Sequence, residues 1–238
     1  ITGQEISVFG ITDGEHISKL ATACDYKRLL DGNRGLNTGG MGSYTPSDKW
    51  TRKLADQVRS EIMEPVIKGM ASQDMPYKGM LYAGIMLTAT GPKLLEFNCR
   101  FGDPETQVIL PSMNSDIVEV MEASIQGQID KASVDWGSVA TVGVVMASRG
   151  YPGDYRKGLE INGLDTLDED VIAFHSGTKK AKGNSSQILT DGGRVLTIVG
   201  SGPSIEAARD KVYNNVAKVE FQGSHFRKDI ALIPKEEE

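Results

Sequence analysis

The run Glu96-Phe97-Asn98-Cys99-Arg100-Phe101-Gly102-Asp103-Pro104-Glu105-Thr106-Gln107 holds the densest chemistry in this chain. If its first half is a strand, Glu96, Asn98 and Arg100 are two apart and share one face, while Phe97 and Cys99 turn to the other. A carboxylate beside an amide oxygen suits a hard divalent cation that also holds phosphate oxygens, and the Arg100 guanidinium suits an anion. The bland alternative is an ion pair between Glu96 and Arg100 on a solvated face. Asp103 and Glu105 weigh against it, because ionisable groups crowded this closely are costly unless something binds among them. Cys99, on the inward face, reads as a core residue.

Glycines mark a second candidate. Gly35-Leu36-Asn37-Thr38-Gly39-Gly40-Met41-Gly42 does not sit comfortably inside a helix or strand and reads as a loop. Gly39, Gly40 and Gly42 have no side chains to keep an oxyanion from their backbone amides. The segment matches neither common phosphate-loop pattern, and a flexible surface loop fits it as well. Lys179 lies just after Gly177 and Arg194 just after Gly192-Gly193, each a cation beside glycine that suits a phosphate or merely a tight turn. Tyr151-Pro152-Gly153-Asp154-Tyr155 reads as a turn with aromatic anchors. His16 and His225 have no partner at ligand spacing and read as exposed imidazoles.

Hydrophobic spacing outlines the scaffold these residues need. Ile6, Val8 and Gly10 alternate with Ser7 and Phe9 up to Asp13-Gly14, and a second apolar run spans 17–23, which predicts a hairpin. Trp50, Leu54, Val58, Ile62, Val66 and Met70 recur every four residues, predicting a helix capped by Ser47 and kinked at Pro65. Strands are predicted over 79–90 and 93–97, and a helix over 116–125. Polar, small residues over 126–138 mark a boundary. Beyond it the pattern predicts strands at 139–146, 171–174 and 194–199, then a helix over 204–219 with Ala208, Val212, Val216 and Val219 inward. Two units are expected, 1–130 and 131–238.

At 238 residues, 39% hydrophobic and 24% charged, the chain has the composition of a globular protein and not of a disordered one. Twenty-six Lys and Arg against 32 Asp and Glu leave a net charge of −6, so nothing draws the whole chain to nucleic acid or to an anionic membrane. Cys24 and Cys99 make no disulfide framework or metal-ligand spacing, and a reducing cytoplasm is the expected location. No apolar run approaches the roughly 18 residues that a spanning helix needs. Lys235-Glu236-Glu237-Glu238 reads as a solvated end. The chain starts at Ile1, without Met and already inside an alternating pattern, so a fragment is expected.

Together and in this order, these segments closely resemble the glycinamide ribonucleotide synthetase family, the phosphoribosylamine–glycine ligases of the ATP-grasp superfamily. The resemblance rests on Gly3-Gln4-Glu5-Ile6-Ser7, Asp25 to Arg28, Asn37 to Gly42, Leu81-Tyr82-Ala83-Gly84, Glu96 to Gln107, Gly150 to Tyr155, His175 to Lys179, Gly192-Gly193-Arg194 and Phe226 to Ile230. It implies an α+β fold: a large ATP-grasp lobe, an antiparallel sheet with flanking helices, then a smaller mixed α/β C-terminal domain. It implies ATP-dependent ligation of glycine to 5-phosphoribosylamine through a glycyl phosphate, in purine synthesis. Glu96 and Asn98 match the family's ligands for Mg²⁺ or Mn²⁺. Arg100 is implied to stabilise the acyl phosphate, and Glu5 to accept from the ATP ribose. Asp103, Lys179 and Arg194, with Asn37, Thr38, Gly39 and Gly40, are implied to bind the ribonucleotide substrate.

Two departures stand out. Tyr82-Ala83-Gly84-Ile85-Met86 lacks the extra Glu that many ATP-grasp enzymes carry on the strand before the metal strand, and Leu36 replaces the family's usual Pro. The family's N-terminal domain and small ATP lobe, with its phosphate lysines and adenine pocket, have no counterpart here. The resemblance therefore implies an isolated chain that is inactive without the N-terminal half. Another ATP-grasp carboxylate–amine ligase, or a non-catalytic nucleotide-binding fragment, is the alternative reading.

Overall fold

The computed structural model describes residues 1–233; the expected solvated end at 235–238 lies outside them. In chain order the strands are β1 (Gln4–Thr12), β2 (Ala21–Asp25), β3 (Arg28–Leu30), β4 (Arg34–Asn37), β5 (Gly42–Thr45), β6 (Gly79–Thr88), β7 (Gly91–Asn98), β8 (Ala140–Ala147), β9 (Val171–His175), β10 (Thr178–Ala181), β11 (Asn184–Thr190) and β12 (Arg194–Gly202). The helices are α1 (Arg52–Val58), α2 (Glu64–Ala71), α3 (Thr106–Ile109), α4 (Ile117–Gln126) and α5 (Ile205–Val216). The chain forms two compact units, one of residues 1–24 and 46–138, the other of 25–45 and 139–238. A single cut at 130/131 does not describe them, because 25–45 belongs with the later residues.

In the first unit the strands run antiparallel in the order β7-β6-β1-β2. β1 pairs with β6 along its whole length, from Gln4↔Leu87 to Thr12↔Gly79. Ile6, Val8, Phe9 and Ile11 are all buried, so the centre of this sheet is covered on both faces, while β7 at its edge has no buried residue and is exposed over its middle. The helix predicted over 47–70 starts later and is broken. Thr51, not Ser47, caps α1 by accepting from the Leu54 amide, and a π-helical turn at Arg59–Met63 separates α1 from α2. Pro65 has no N–H to give to the turn before it, which accounts for a break there. Val58, Met63 and Ile67 still face inward across the break.

The predicted hairpin at Asp13-Gly14 is present, with a longer connection than the alternation suggests, since β2 begins only at Ala21. Gly14 takes φ +97°, and the buried Asp13 carboxylate accepts from the amides of Glu15, His16 and Ile129. The last of these ties the turn to the segment after α4. α4 itself is capped by Asp116, which accepts from the Val118 amide.

In the second unit the order is β5-β8-β12-β9, again antiparallel. Every residue of β8 is buried. α5, capped by Ser204, lays Ala208, Val212 and Val216 inward as predicted. Gly200 on β12 permits this approach, since a Cβ there would lie 3.3 Å from the Val212 amide nitrogen. Two ribbons, β3–β4 and β10–β11, were not foreseen; β3, β4 and β10 are only three or four residues long, and β11 opens on the polar run Asn184 to Gln187, so they carry little hydrophobic pattern. Arg227 is the largest fully buried side chain. It donates to both Asp229 oxygens at 2.7 Å and to the Arg28 carbonyl at 2.9 Å, and lies 4.8 Å over the Tyr26 ring.

Candidate functional site

On β7 the register places Glu96 opposite Gly84 and Asn98 opposite Tyr82, two positions apart on one face. Leu95 is an extra residue, because Ile85 already pairs with Leu94, and this bulge ends the simple alternation predicted for the strand. The Asn98 amide nitrogen donates to Glu96 Oε1 at 3.0 Å. The two side chains are thus in contact near the edge of the sheet, Glu96 exposed and Asn98 half-buried. A carboxylate held beside an amide that can turn its oxygen outward is a donor set that fits a hard cation with several remaining positions open to phosphate and water.

Two expectations for this segment change. The strand ends at Asn98, so Arg100 lies beyond it and donates to the Phe101 carbonyl at 2.8 Å instead of continuing the Glu96/Asn98 row. Cys99 is exposed and is not a core residue: past the strand end, alternation no longer dictates which way a side chain turns. Cys99 and burial together push the Tyr77 hydroxyl up to about 12, burial being the larger influence. Asp103 sits exposed in the turn, accepting from Gln107 Nε2 at 2.9 Å.

Glu105 is the residue whose position sequence reasoning missed. It is buried, at 5% exposure, and Ser7 Oγ donates to its Oε1 at 2.9 Å. Ser7 is also 3.1 Å from the Tyr82 hydroxyl. Ser7 pairs with Gly84, which pairs with Glu96, so these groups line up across β1, β6 and β7 on one face. Gly84 leaves room for this: a Cβ there would lie 3.4 Å from both Glu96 Cγ and the Tyr82 hydroxyl. Glu5, half-buried and two residues before Ser7, shares that face. The signal for Ser7 and Tyr82 was their alternation with apolar neighbours; Glu105 is brought in by a turn that no periodicity reveals.

In the second unit, Arg194 and the glycine loop come together. Arg194 Nη1 donates to the Gly39 carbonyl at 2.6 Å, and the Gly39 amide donates to the Tyr151 hydroxyl at 2.9 Å. The neighbouring amides are also engaged: Thr38 with the Lys27 carbonyl, Gly40 with Thr38 Oγ1, Met41 with the Tyr26 carbonyl. The loop is therefore pinned, and the expectation of free amides facing an oxyanion does not describe it. Asn37 is exposed at the end of β4. Lys179, on β10, is 3.2 Å from Asp191, which also faces Lys157 at 3.8 Å. His225 is half-buried, its Nε2 3.0 Å from the Leu29 carbonyl. One further cluster, Asp13, His16 and Asp130, brings ligand atoms within 4.8 Å of one another, although three amides already bond to Asp13.

The phosphoribosylglycinamide synthetase ATP-grasp (A) domain matches residues 1–106, and the C domain of the same synthetase matches residues 141–233. Over 229 residues the chain is 44% identical to a phosphoribosylamine–glycine ligase of Caldanaerobacter subterraneus, covering 96% of this chain and 54% of that protein. It is 46% identical over 232 residues to the trifunctional purine biosynthetic protein adenosine-3 of Gallus gallus, 97% of this chain and 23% of that one. The crystal structure of phosphoribosylamine–glycine ligase from Thermotoga maritima superposes with a TM-score of 0.85 at 35% identity, covering 97% of this chain and 56% of that one. The chain spans about half the length of the single-function ligases it matches. By its ATP-grasp (A) and C domains, the chain belongs to the phosphoribosylglycinamide synthetase family.

Proposed function

We propose that this chain supplies the metal-binding and carboxylate-activating half of an ATP-dependent ligase that joins glycine to 5-phosphoribosylamine. The observation that carries the reading is the Glu96–Asn98 pair, in contact at 3.0 Å on an open strand edge within the 96–107 segment. Glu96 and Asn98 would hold Mg²⁺ or Mn²⁺, which when bound neutralises phosphate charge as the γ-phosphoryl group leaves ATP.

The glycine carboxylate accepts that phosphoryl group, giving glycyl phosphate and ADP. The amine nitrogen of phosphoribosylamine then bonds to the acyl carbon, phosphate departs, and the nitrogen loses a proton. Arg100, exposed past the strand end, is suited to the acyl-phosphate oxygens, and Glu5 to the ribose hydroxyls of ATP. In the second unit, Arg194 and Lys179 would take the 5-phosphate, with Asn37 to Gly40 beside them; in the first unit, Asp103 would be a substrate-binding residue. Purine synthesis would be the setting and the cytoplasm the location; among the described residues no helix is long and apolar enough to cross a membrane.

The test is a hybrid ligase in which this chain replaces the matching segment of the Caldanaerobacter protein. It should release ADP only when both glycine and phosphoribosylamine are present. A hybrid that folds and hydrolyses ATP independently of glycine, or that accepts other acids equally, would refute the assignment.

A further inference from the structure

We propose that Glu105 is the recognition group for the α-ammonium of the amino-acid substrate, an inference that rests on the ligase reading above. Glu105 is 5% exposed, and among the described residues its carboxylate has no cationic partner; the side chain bonded to it is the neutral Ser7 hydroxyl at 2.9 Å. Burying a carboxylate against a hydroxyl alone is costly, which marks the position as one completed by a positive charge from outside. Oε1 is taken by Ser7. Oε2 receives no hydrogen bond from the described residues and, not being among the fully buried unpartnered oxygens, keeps some contact with solvent.

Gly102 lets the Glu105 carboxylate approach its backbone, since any Cβ at that position would collide with it. The charge thus lies against bare backbone, in line with the row Ser7, Gly84, Glu96. Among the described residues Glu105 belongs to no group of three or more metal-ligating side chains, so a divalent cation is poorly served here. A primary ammonium needs less: one carboxylate and neighbouring hydroxyl oxygens, which Glu105, Ser7 and Tyr82 provide.

The experiment is an amide-resolved NMR titration of the chain with methylammonium, tetramethylammonium and glycolate. Methylammonium should shift the Ser7 and Glu105 resonances saturably, while tetramethylammonium, which has no N–H, and glycolate, which has no ammonium, should not. Glu105→Gln keeps an acceptor for Ser7 and should weaken methylammonium at least about tenfold with the rest of the spectrum in place. Equal shifts from tetramethylammonium, or unchanged methylammonium binding in Glu105→Gln, would overturn the proposal, and the first comparison needs no variant. Mn²⁺ broadening at Glu96 and Asn98 is read in the same sample. Methylammonium binding at Glu105 without that broadening would keep the ammonium site and count against the ligase reading.

Discussion

Glu96 and Asn98 work as a pair because a β-strand puts residues two apart on one face, and that much is visible in the sequence itself. Their 3.0 Å contact converts a spacing into a donor set. In the hybrid ligase, Glu96→Ala should abolish turnover, since the cation loses its charged ligand on that strand and several kcal/mol of transition-state stabilisation go with it. Asn98→Asp keeps an oxygen ligand and should be milder; near-normal turnover of Glu96→Ala in saturating Mg²⁺ would contradict the assignment. Arg194 differs, because its bond to Gly39 already gives it a structural task. If it also takes the substrate phosphate, Arg194→Ala should raise the apparent KM for phosphoribosylamine about tenfold or more and leave that for ATP unchanged. Equal effects on both would make Arg194 a loop anchor alone. The burial of Glu105 beside Ser7 and the contact of Tyr151 with Gly39 were not legible: each reaches its place through a turn or a partner far away in sequence, and no local pattern encodes such a contact.

Elements followed the sequence where burial is periodic and departed from it where a single residue breaks the period. α5 and β8 are of the first kind, each with an apolar set that admits one placement. The Leu95 bulge, the π-helical turn before Pro65 and the strand end at Asn98 are of the second, and the last explains the exposure of Cys99. The Asp13 turn is held by a carboxylate whose pKa lies below the usual value: burial pushes it up, but the amides of His16, Glu15 and Ile129 outweigh burial. A carboxyl with a lowered folded-state pKa adds stability above its unfolded pKa, and that stability is lost as pH falls through the folded value. Asp13→Ala should therefore cost about 2–4 kcal/mol at neutral pH by leaving three amides without their acceptor. The difference from wild type should shrink below about pH 4. Urea melts at neutral and acid pH give both numbers; an equal difference at the two pH values would contradict this description of the turn.

At the scale of the molecule, spacing outlined individual strands and helices and the family resemblance implied the α+β class, whereas the make-up of the units was not legible. Residues 25–45 read as a loop-rich stretch next to the first strands, yet they pack with residues nearly two hundred positions later. Arg227 is the clearest tie: buried, bonded to Asp229, and donating to the Arg28 carbonyl. Asp229 responds in kind, its carboxyl pushed up by burial but held below the ordinary value overall by Arg227 and the Gly32 amide. Arg227→Ala leaves Asp229 without its cation, and losing one partner of a buried pair costs about 3–5 kcal/mol. Hydrogen exchange should speed up through 28–37 in that variant; protection unchanged there would show that other contacts hold the β3–β4 ribbon.

The most direct measurement on the chain itself is Mn²⁺-induced broadening of its backbone amide resonances, with ATP present. Broadening centred on Glu96 and Asn98, and abolished by Glu96→Ala, is the result expected of a strand that holds the nucleotide's metal. Broadening centred instead on Asp13, His16 and Asp130, or unchanged by Glu96→Ala, would contradict it.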